Sequence, residues 1–571
     1  LQVTGTLTTG VDDTGHDVKF FGATSGKYML WDESADSLLV SGDLASVTAG
    51  TSNFVAGVNA GDAIQSGGNY NVAVGDEAGT AITTGDNNTA VGYAALDANT
   101  TGDSNTAYGY NALTANTTAD MNTAIGSQAL DTNTTGCLNT AVGHRSMDTN
   151  TEGCFNTAVG AYSVYGNTTG NFLAALGQDA LFTNTTGACN TAVGYMAMCL
   201  TTTGASNVAI GYKALTTNTT GLNNVVIGTC ASYTSTTAEY STIVGYKSSL
   251  STTTGFNNST LGTCTLHDNT TGSRNVAVGN SSMQANTEGV CNVGVGLSAL
   301  RYNTTASSNT AVGYASLSAN TTAPGNVAVG AFALDANTTG AYNVAVGLSA
   351  LTDSTTSCHN IAVGTQALED NTDGAGNTAI GHMAGGIITT GDCNVLLGYR
   401  TIPDDVDGQY QLVLGAGDGN DHMPGDGDNT VSIGKRLSHI TNSFTSNATW
   451  AHSSDLRYKK DIQDNTIGLD FINDLRTVNY KWKALSELDE TLPEYDANKT
   501  TADSEELQHG LIAQEVKTSM DKLGISTDFA GWQEEKKHPN KKQRISESMF
   551  VYPLIKAVQE LSAEIEELKK K

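Results

Sequence analysis

The sequence predicts a mostly β protein: a parallel β-roll or solenoid of 17-residue coils, followed by an α+β C-terminal module with a terminal coiled coil. Three observations predict it. A glycine recurs every 17 residues without a slip from Gly75 to Gly415, 21 glycines in register over 341 residues. The residue before each of these glycines is apolar in all 21 units, and Asn stands four residues before it in 18 of them. Beyond residue 450 the period stops, Lys becomes frequent and a heptad pattern closes the chain. So short a unit cannot bury a face of its own, so it is stable only when stacked on its neighbours.

Residues 1–50 read as a thin β segment, with apolar runs at Val18-Lys19-Phe20-Phe21, Tyr28-Met29-Leu30-Trp31 and Ser37-Leu38-Leu39-Val40 between Gly, Asp and Ser. The rod follows over 51–436, with Gly57 lying 18 residues before the series and Gly434 lying 19 after it as irregular end units. Residues 437–453 read as a linker and 454–571 as the C-terminal module.

One coil is read with its glycine as position 0. Asn88 at −4, Thr89, Ala90 and Val91 lead into Gly92, which describes a short strand closed by a turn. A second apolar site falls at +4 (Leu96, Leu113, Leu130, Met147), and a second Gly recurs at +10 (Gly102, Gly136, Gly170). The expectation is two strand-like edges per coil, with the −1 and +4 residues as facing apolar ladders. At roughly 4.8 Å per coil the rod is on the order of 100 Å long. The Asn at −4 is expected to stack as a hydrogen-bonded ladder. The Asn-Thr-Thr triplets at Asn99, Asn116, Asn133, Asn167 and Asn184 also fit the N-glycosylation acceptor pattern.

Bulk composition excludes several classes. The formal charge of −29 argues against nucleic acid or an anionic membrane surface as partner. The acidity is uneven: 34 acidic against 10 basic residues up to position 450, then 23 against 18. No run of 18 apolar residues exists, so no membrane insertion by a helix is expected. The chain begins at Leu1, so upstream residues are expected to have been removed. All nine Cys lie in the rod. Cys137 and Cys154, one period apart, fall on adjacent coils within bridging range, whereas Cys230 and Cys264 are two coils apart and beyond it. Clustered Asp in Gly-rich turns is a Ca²⁺-binding chemistry, and Asp418, Asp421, Asp426 and Asp428 are the candidates. The EF-hand spacing is missing, so the reading taken is a solvated turn with no cofactor or metal.

The C-terminal module opens with Ser453-Ser454-Asp455-Leu456-Arg457-Tyr458-Lys459-Lys460. It continues through His509-Gly510-Leu511-Ile512-Ala513-Gln514-Glu515-Val516. It ends in Val551, Leu554, Val558, Leu561, Ile565 and Leu568, spaced 3, 4, 3, 4, 3. That is an a/d seam, a coiled coil over about 549–571, suited to an oligomer; the alternative is a helix packed on its own module.

Three resemblances add to this reading. Residues 1–50 look like the shaft modules of viral fibre proteins. The unit Asn-Thr-Ala-Val-Gly-Tyr-x-Ala-Leu, at Asn88–Leu96 and Asn309–Leu317, is similar to the head repeats of trimeric autotransporter adhesins and their 17-residue variant in virus and phage fibres. This implies a left-handed roll in a homotrimer. Ser454, Asp455, Arg457 and Lys459 match the Ser-Asp-x-Arg-x-Lys opening of the endosialidase-type intramolecular chaperone, as do the Gly-Leu-Ile-Ala-Gln-Glu-Val run and the closing coiled coil. The resemblance implies one self-cleavage between Ser453 and Ser454. In that chemistry Ser454 is the nucleophile and Lys459 the base, with burial holding the lysine neutral. Ser453 and Lys460 stand beside them as alternatives. Asp455 and Arg457 are expected to orient the loop, and His509 either assists or holds a structural hydrogen bond.

The function expected is a trimeric virion fibre, tail or capsid, for host attachment. Its partners would be a host cell-surface receptor or glycan and, through the N-terminus, other virion proteins. The only enzymatic act would be single-turnover Ser-Lys autoproteolysis with no external substrate, and the chaperone would be released after assembly. The alternative is a structural or glycan- or ice-binding surface solenoid of bacterial-adhesin type. A polysaccharide-degrading tailspike is disfavoured, because no carboxylate pair with its own domain interrupts the array.

Overall fold

In the computed structural model, the described residues are 18–21, 28–32, 37–41, 48–419, 421–436, 438–443, 451–452, 460–490, 492, 495, 497–500, 507–534 and 542–571. The chain divides into two compact units, Leu1–Ser453 and Ser454–Lys571.

In the first unit, Val18–Phe21, Tyr28–Asp32 and Ser37–Ser41 form an antiparallel three-stranded sheet, on the segments expected from their apolar runs. A second ladder of 25 strands starts at Phe54–Ala56 and gains one strand per coil. Pairing is parallel and in register, so that Thr89, Ala90 and Val91 stand beside Thr106, Ala107 and Tyr108. The ladder runs along the rod and does not close on itself: its first strand pairs with Val72–Val74, and its last, Ala451–His452, with Ser438–Ser443. These two final strands turn antiparallel, so part of the stretch read as a linker extends the sheet instead.

Up to Gly381 each coil holds one strand, not the two expected; at the C-terminal end of the rod, Thr401–Ile402 and Met423–Pro424 add a short parallel pair on the second edge. The +4 edge is a succession of turns in which Leu96, Leu113 and Leu130 adopt φ of 55°, 57° and 53°. The left-handed region costs an L-residue about 1–2 kcal/mol, and full burial of a leucine side chain offsets a cost of that size. Axial hydrogen bonding continues through the turns, as in Leu96 N–H to Ala112 O at 3.0 Å and Thr100 N–H to Thr117 O at 2.8 Å. Position 0 is glycine for a local reason. Gly211 has φ 137°, and a Cβ there would sit 2.6 Å from Gly228 O. Neither the dihedral nor the spacing admits a side chain.

The core also differs from the expected one. Strand alternation turns −2 inward and −1 outward. Ala90, Ala107 and Ala124 at −2 are fully buried with Leu96, Leu113 and Leu130 at +4. The −1 row, apolar in every coil, instead faces outward, with Tyr108, Ile125, Leu176 and Leu261 exposed. In one chain the −1 and +4 rows therefore do not face each other.

Asparagine fills both internal corners. At −4, Asn88 donates its backbone N–H to Asn71 Oδ1 at 2.9 Å and its side-chain amide to Gly102 O at 2.9 Å, and the pattern repeats up the rod. A second ladder, missed in the sequence, stands at +7. Asn116 Nδ2 donates to Asn99 Oδ1 at 2.9 Å, and Asn150 and Asn167 continue it at 2.7 Å each. These are the asparagines of the Asn-Thr-Thr triplets. Asn99, Asn116, Asn133, Asn167 and Asn184 have no exposed surface, so the glycosylation reading fails on burial.

In the second unit, helix α1 (Leu469–Asp474), helix α2 (Ala513–Leu523) and helix α3 (Val551–Lys570) surround two two-stranded sheets. Phe471, Ala513, Val516, Met520 and Trp532 form its core. Phe471, Phe529 and Phe550 meet with ring centroids 5.5–6.1 Å apart. Gly524, at φ 67°, ends α2 with the left-handed cap that glycine supplies.

Candidate functional site

Ser453, Ser454, Asp455, Arg457 and Lys459 lie outside the described residues. Lys460 is exposed, and Asp461 beside it has φ 55°. His509 is the one predicted site residue of the module that the structure places. It lies mid-strand in Gln508–Gly510, directly across the two-stranded sheet from Asn479 of Val478–Tyr480. His509 Nδ1 and Asn479 Oδ1 are 2.6 Å apart, a distance at which Nδ1–H donates to the amide oxygen.

His509 and Asn479 stand on the wall of a concave surface of about 520 Å³. Its remaining lining is mostly apolar: Ile472 and Leu475 behind α1, Leu511, and Phe550 and Leu554 at the start of α3, with Glu547 as the further charged group. Periodicity did not reveal this cavity, because its residues come from three separate stretches, 472–479, 509–511 and 547–554. The scaffold around it is pinned. Glu560 on α3 accepts the backbone N–H of Leu469 at 2.7 Å, at the open N-terminus of α1. Arg476 pairs with Glu515 through a 3.0 Å Nε to Oε2 bond, which holds the Glu515 carboxyl below its usual range and Arg476 above its own. Lys522 hydrogen-bonds Asp474 and holds that carboxyl low as well.

The Asp candidates at the end of the rod are engaged separately. Asp418 and Asp421 exchange backbone hydrogen bonds, and Asp421 pairs with Arg436. Asp426 pairs with His439 at 3.2 Å, and Asp428 accepts the Gln409 N–H at 2.6 Å. Among the described residues, no group of three or more His, Cys, Asp or Glu is gathered to hold a metal ion. The thiols of Cys137 and Cys154, on adjacent coils, are free and hydrogen-bonded at 3.1 Å, and that hydrogen bond pushes the Cys137 pKa up. Burial pushes the Cys199 thiol to about 11. No helix among the described residues is long and apolar enough to cross a membrane.

A parallel β-solenoid joined to a small α+β module defines the class of protein. Residues 454–525, from the motif serine to the end of α2, match the family described as chaperone of endosialidase, which is named as a peptidase. No curated protein and no solved structure matches the chain. Over residues 454–525 the C-terminal module is therefore similar to a family of self-cleaving chaperone domains.

Proposed function

We propose that the chain is a virion fibre that trimerises through its own repeated face, attaches to a host surface receptor or glycan, and is folded by its C-terminal chaperone. The observation that carries this reading is the junction itself: a chaperone-of-endosialidase match begins at Ser454, where the unit that holds the repeated coils ends. Such a rod needs a register device, because a slip by one unit preserves most contacts. Two apolar surfaces left open in a single chain support self-association. One is the −1 row of the rod; the other is the a/d seam of α3, where Val551, Leu554, Val558, Leu561, Ile565 and Leu568 are all exposed. Among the outer residues of α3, the narrow Pro553 and Ala557 stripe alone is buried, which disfavours a helix packed only on its own module.

Cleavage follows once the module has assembled. Ser454 Oγ attacks the Ser453 carbonyl carbon while Lys459 Nζ takes the hydroxyl proton. The Ser453–Ser454 peptide bond breaks, the proton passes to the released α-amine of Ser454, and an ester joins the two parts. Water then opens the ester, giving the Ser453 carboxylate and restoring the Ser454 hydroxyl. Cleavage makes assembly irreversible in practice, because the released module no longer offers a way back. The N-terminal end is assigned to other virion proteins. Intact-mass spectrometry with light scattering tests the proposal. The expected result is a trimeric rod ending at Ser453, with Ser454→Ala trimeric but uncleaved; an uncleaved monomer would overturn it.

A further inference from the structure

Four outward rows cross the strand face of the rod, at −5, −3, −1 and +1. The outer two are far from uniform. Row +1 carries Tyr93 and Tyr110, stacked at 5.4 Å, Tyr195 and Tyr212, stacked at 5.5 Å, and Tyr314. Row −5 carries Met121, Leu138, and Phe155 and Phe172, stacked at 5.2 Å. All of these side chains are exposed. In most coils a large side chain in one row goes with a small one in the other. Where +1 is Tyr93, Tyr110, Tyr195, Tyr212 or Tyr314, −5 of the same coil is Asn87, Ser104, Cys189, Ser206 or Ser308. Where −5 is Phe155 or Phe172, +1 is Ala161 or Gln178.

Counting Tyr, Phe, His, Leu, Met and Arg as bulky, 15 of the 21 coils set a bulky residue in one row against a smaller one in the other. Pairing each +1 residue with −5 of the next coil gives 12 of 20, and with the preceding coil 10 of 20. The two rows of one coil lie six residues apart, on either side of a three-residue strand, and their ring stacks run along a row from coil to coil, as in Tyr93 on Tyr110 and Phe155 on Phe172.

We propose that rows +1 and −5 are a register code read by a second copy of the chain: +1 of one rod packs on −5 of its neighbour at the same coil level. This rests on the trimer proposed above and adds its register. In a closed ring of three parallel rods, one flank of each face meets the opposite flank of the next, and closure forbids a net axial shift. The recurring Asn, Ala, Gly and Leu of the interior give little discrimination against a one-coil slip. The size match does discriminate, since a slip sets Tyr110 against Met121 in one direction and Tyr195 against Phe172 in the other.

Native Cys189 supplies the test. In the full chain, Tyr195→Cys faces Cys189 of the neighbouring copy in register, whereas Gln178→Cys and Tyr212→Cys face it only if the rods slip by one coil. These +1 sites carry Ser, Ala or Thr in other coils, so the fold accepts a small side chain there. After copper-phenanthroline oxidation, non-reducing denaturing gels should show covalent dimers and trimers for Tyr195→Cys above the parent's background. They should be lost on adding Cys189→Ser, and Gln178→Cys and Tyr212→Cys should stay at background. Cross-linking through either of those two, or none from Tyr195→Cys in a chain that light scattering shows to be trimeric, overturns the register. A chain that is monomeric by light scattering overturns the association as well, so the two failures are distinguishable.

Discussion

The amide oxygen of Asn326 accepts the backbone N–H of Asn343, one coil further along the rod, at 2.8 Å. Its Nδ2 meanwhile donates to Gly340 O at 2.9 Å. Both partners are main-chain groups in a corner from which water is excluded; Gly340 O also accepts from Asn337 Nδ2 at 2.9 Å, whereas the Asn343 N–H is held by the Asn326 oxygen. Replacing Asn326 by Ala therefore orphans the Asn343 N–H and leaves Gly340 O with one donor. A buried unpaired polar group costs about 1–3 kcal/mol, so Asn326→Ala should lower the unfolding free energy by about that much. Chemical denaturation followed by far-UV circular dichroism reads this directly, with Gln178→Ala, on the exposed +1 row where Ala161 stands one coil earlier, as the near-neutral control.

The period, the strand at −3 to −1, the −4 ladder and the three N-terminal strands were legible because each is a local pattern repeated or bounded by turn residues. The direction of the −1 row was not. An apolar residue in every coil reads as core, and only the buried Ala at −2 shows that alternation turns it outward. The second edge was misread as a strand because Leu at +4 carries no sign of its left-handed backbone. The Asn at +7 was hidden inside a sequon-like triplet. In the module, the seam of α3 was legible from its spacing, whereas the cavity beside His509 joins distant segments that no local pattern links.

Volume in the core is shared within a coil. The commonest pair, in nine of the 21 coils, is Ala at −2 with Leu at +4, but one coil pairs Ile243 with Ser249, both buried. The Ser249 hydroxyl has no hydrogen-bond partner, and the apolar core is divided near this point between a cluster ending at Ile243 and one beginning at Leu266. Ser249→Leu alone should overpack, and Ile243→Ala alone should leave a cavity, each destabilising by about 1–4 kcal/mol. The double variant restores the usual pair and should be at least as stable as the parent. Thermal unfolding of the four proteins closes the cycle, and simple additivity would show that the two sites do not share space.

Asp131 sits half-buried in the +5 row near Asp148. Burial first, then the charge of Asp148, hold its pKa above the usual carboxylate value. A raised folded-state pKa means that the folded chain binds the proton more tightly than the unfolded one. The stability due to the protonated group is present below the unfolded value of about 3.9 and lost as pH rises through the folded value. Asp131→Asn should therefore raise the thermal midpoint at pH 7 and leave it nearly unchanged at pH 3. An equal gain at both pH values would assign the effect to packing.

Helix α3 divides its surface between two tasks. Pro553 and Ala557 are buried against the module and Glu560 reaches Leu469, while Leu561 and Ile565 stand exposed on the seam. A 20-residue helix with an open apolar seam is marginal alone in water, and burying each such side chain contributes about 1.5–3 kcal/mol. Charging the seam while sparing the other stripe should separate association from folding. In Leu561→Lys/Ile565→Lys the module should keep its core, read by unchanged fluorescence of buried Trp532. Light scattering should show the full chain moving from trimer to monomer, and mass spectrometry should show loss of cleavage, if cleavage waits on assembly. Glu566→Lys, on the exposed side, is the charge-matched control and should do neither. A double variant that still trimerises would place the start of assembly in the rod, in which case the +1 and −5 rows would have to find their register without help from the helix.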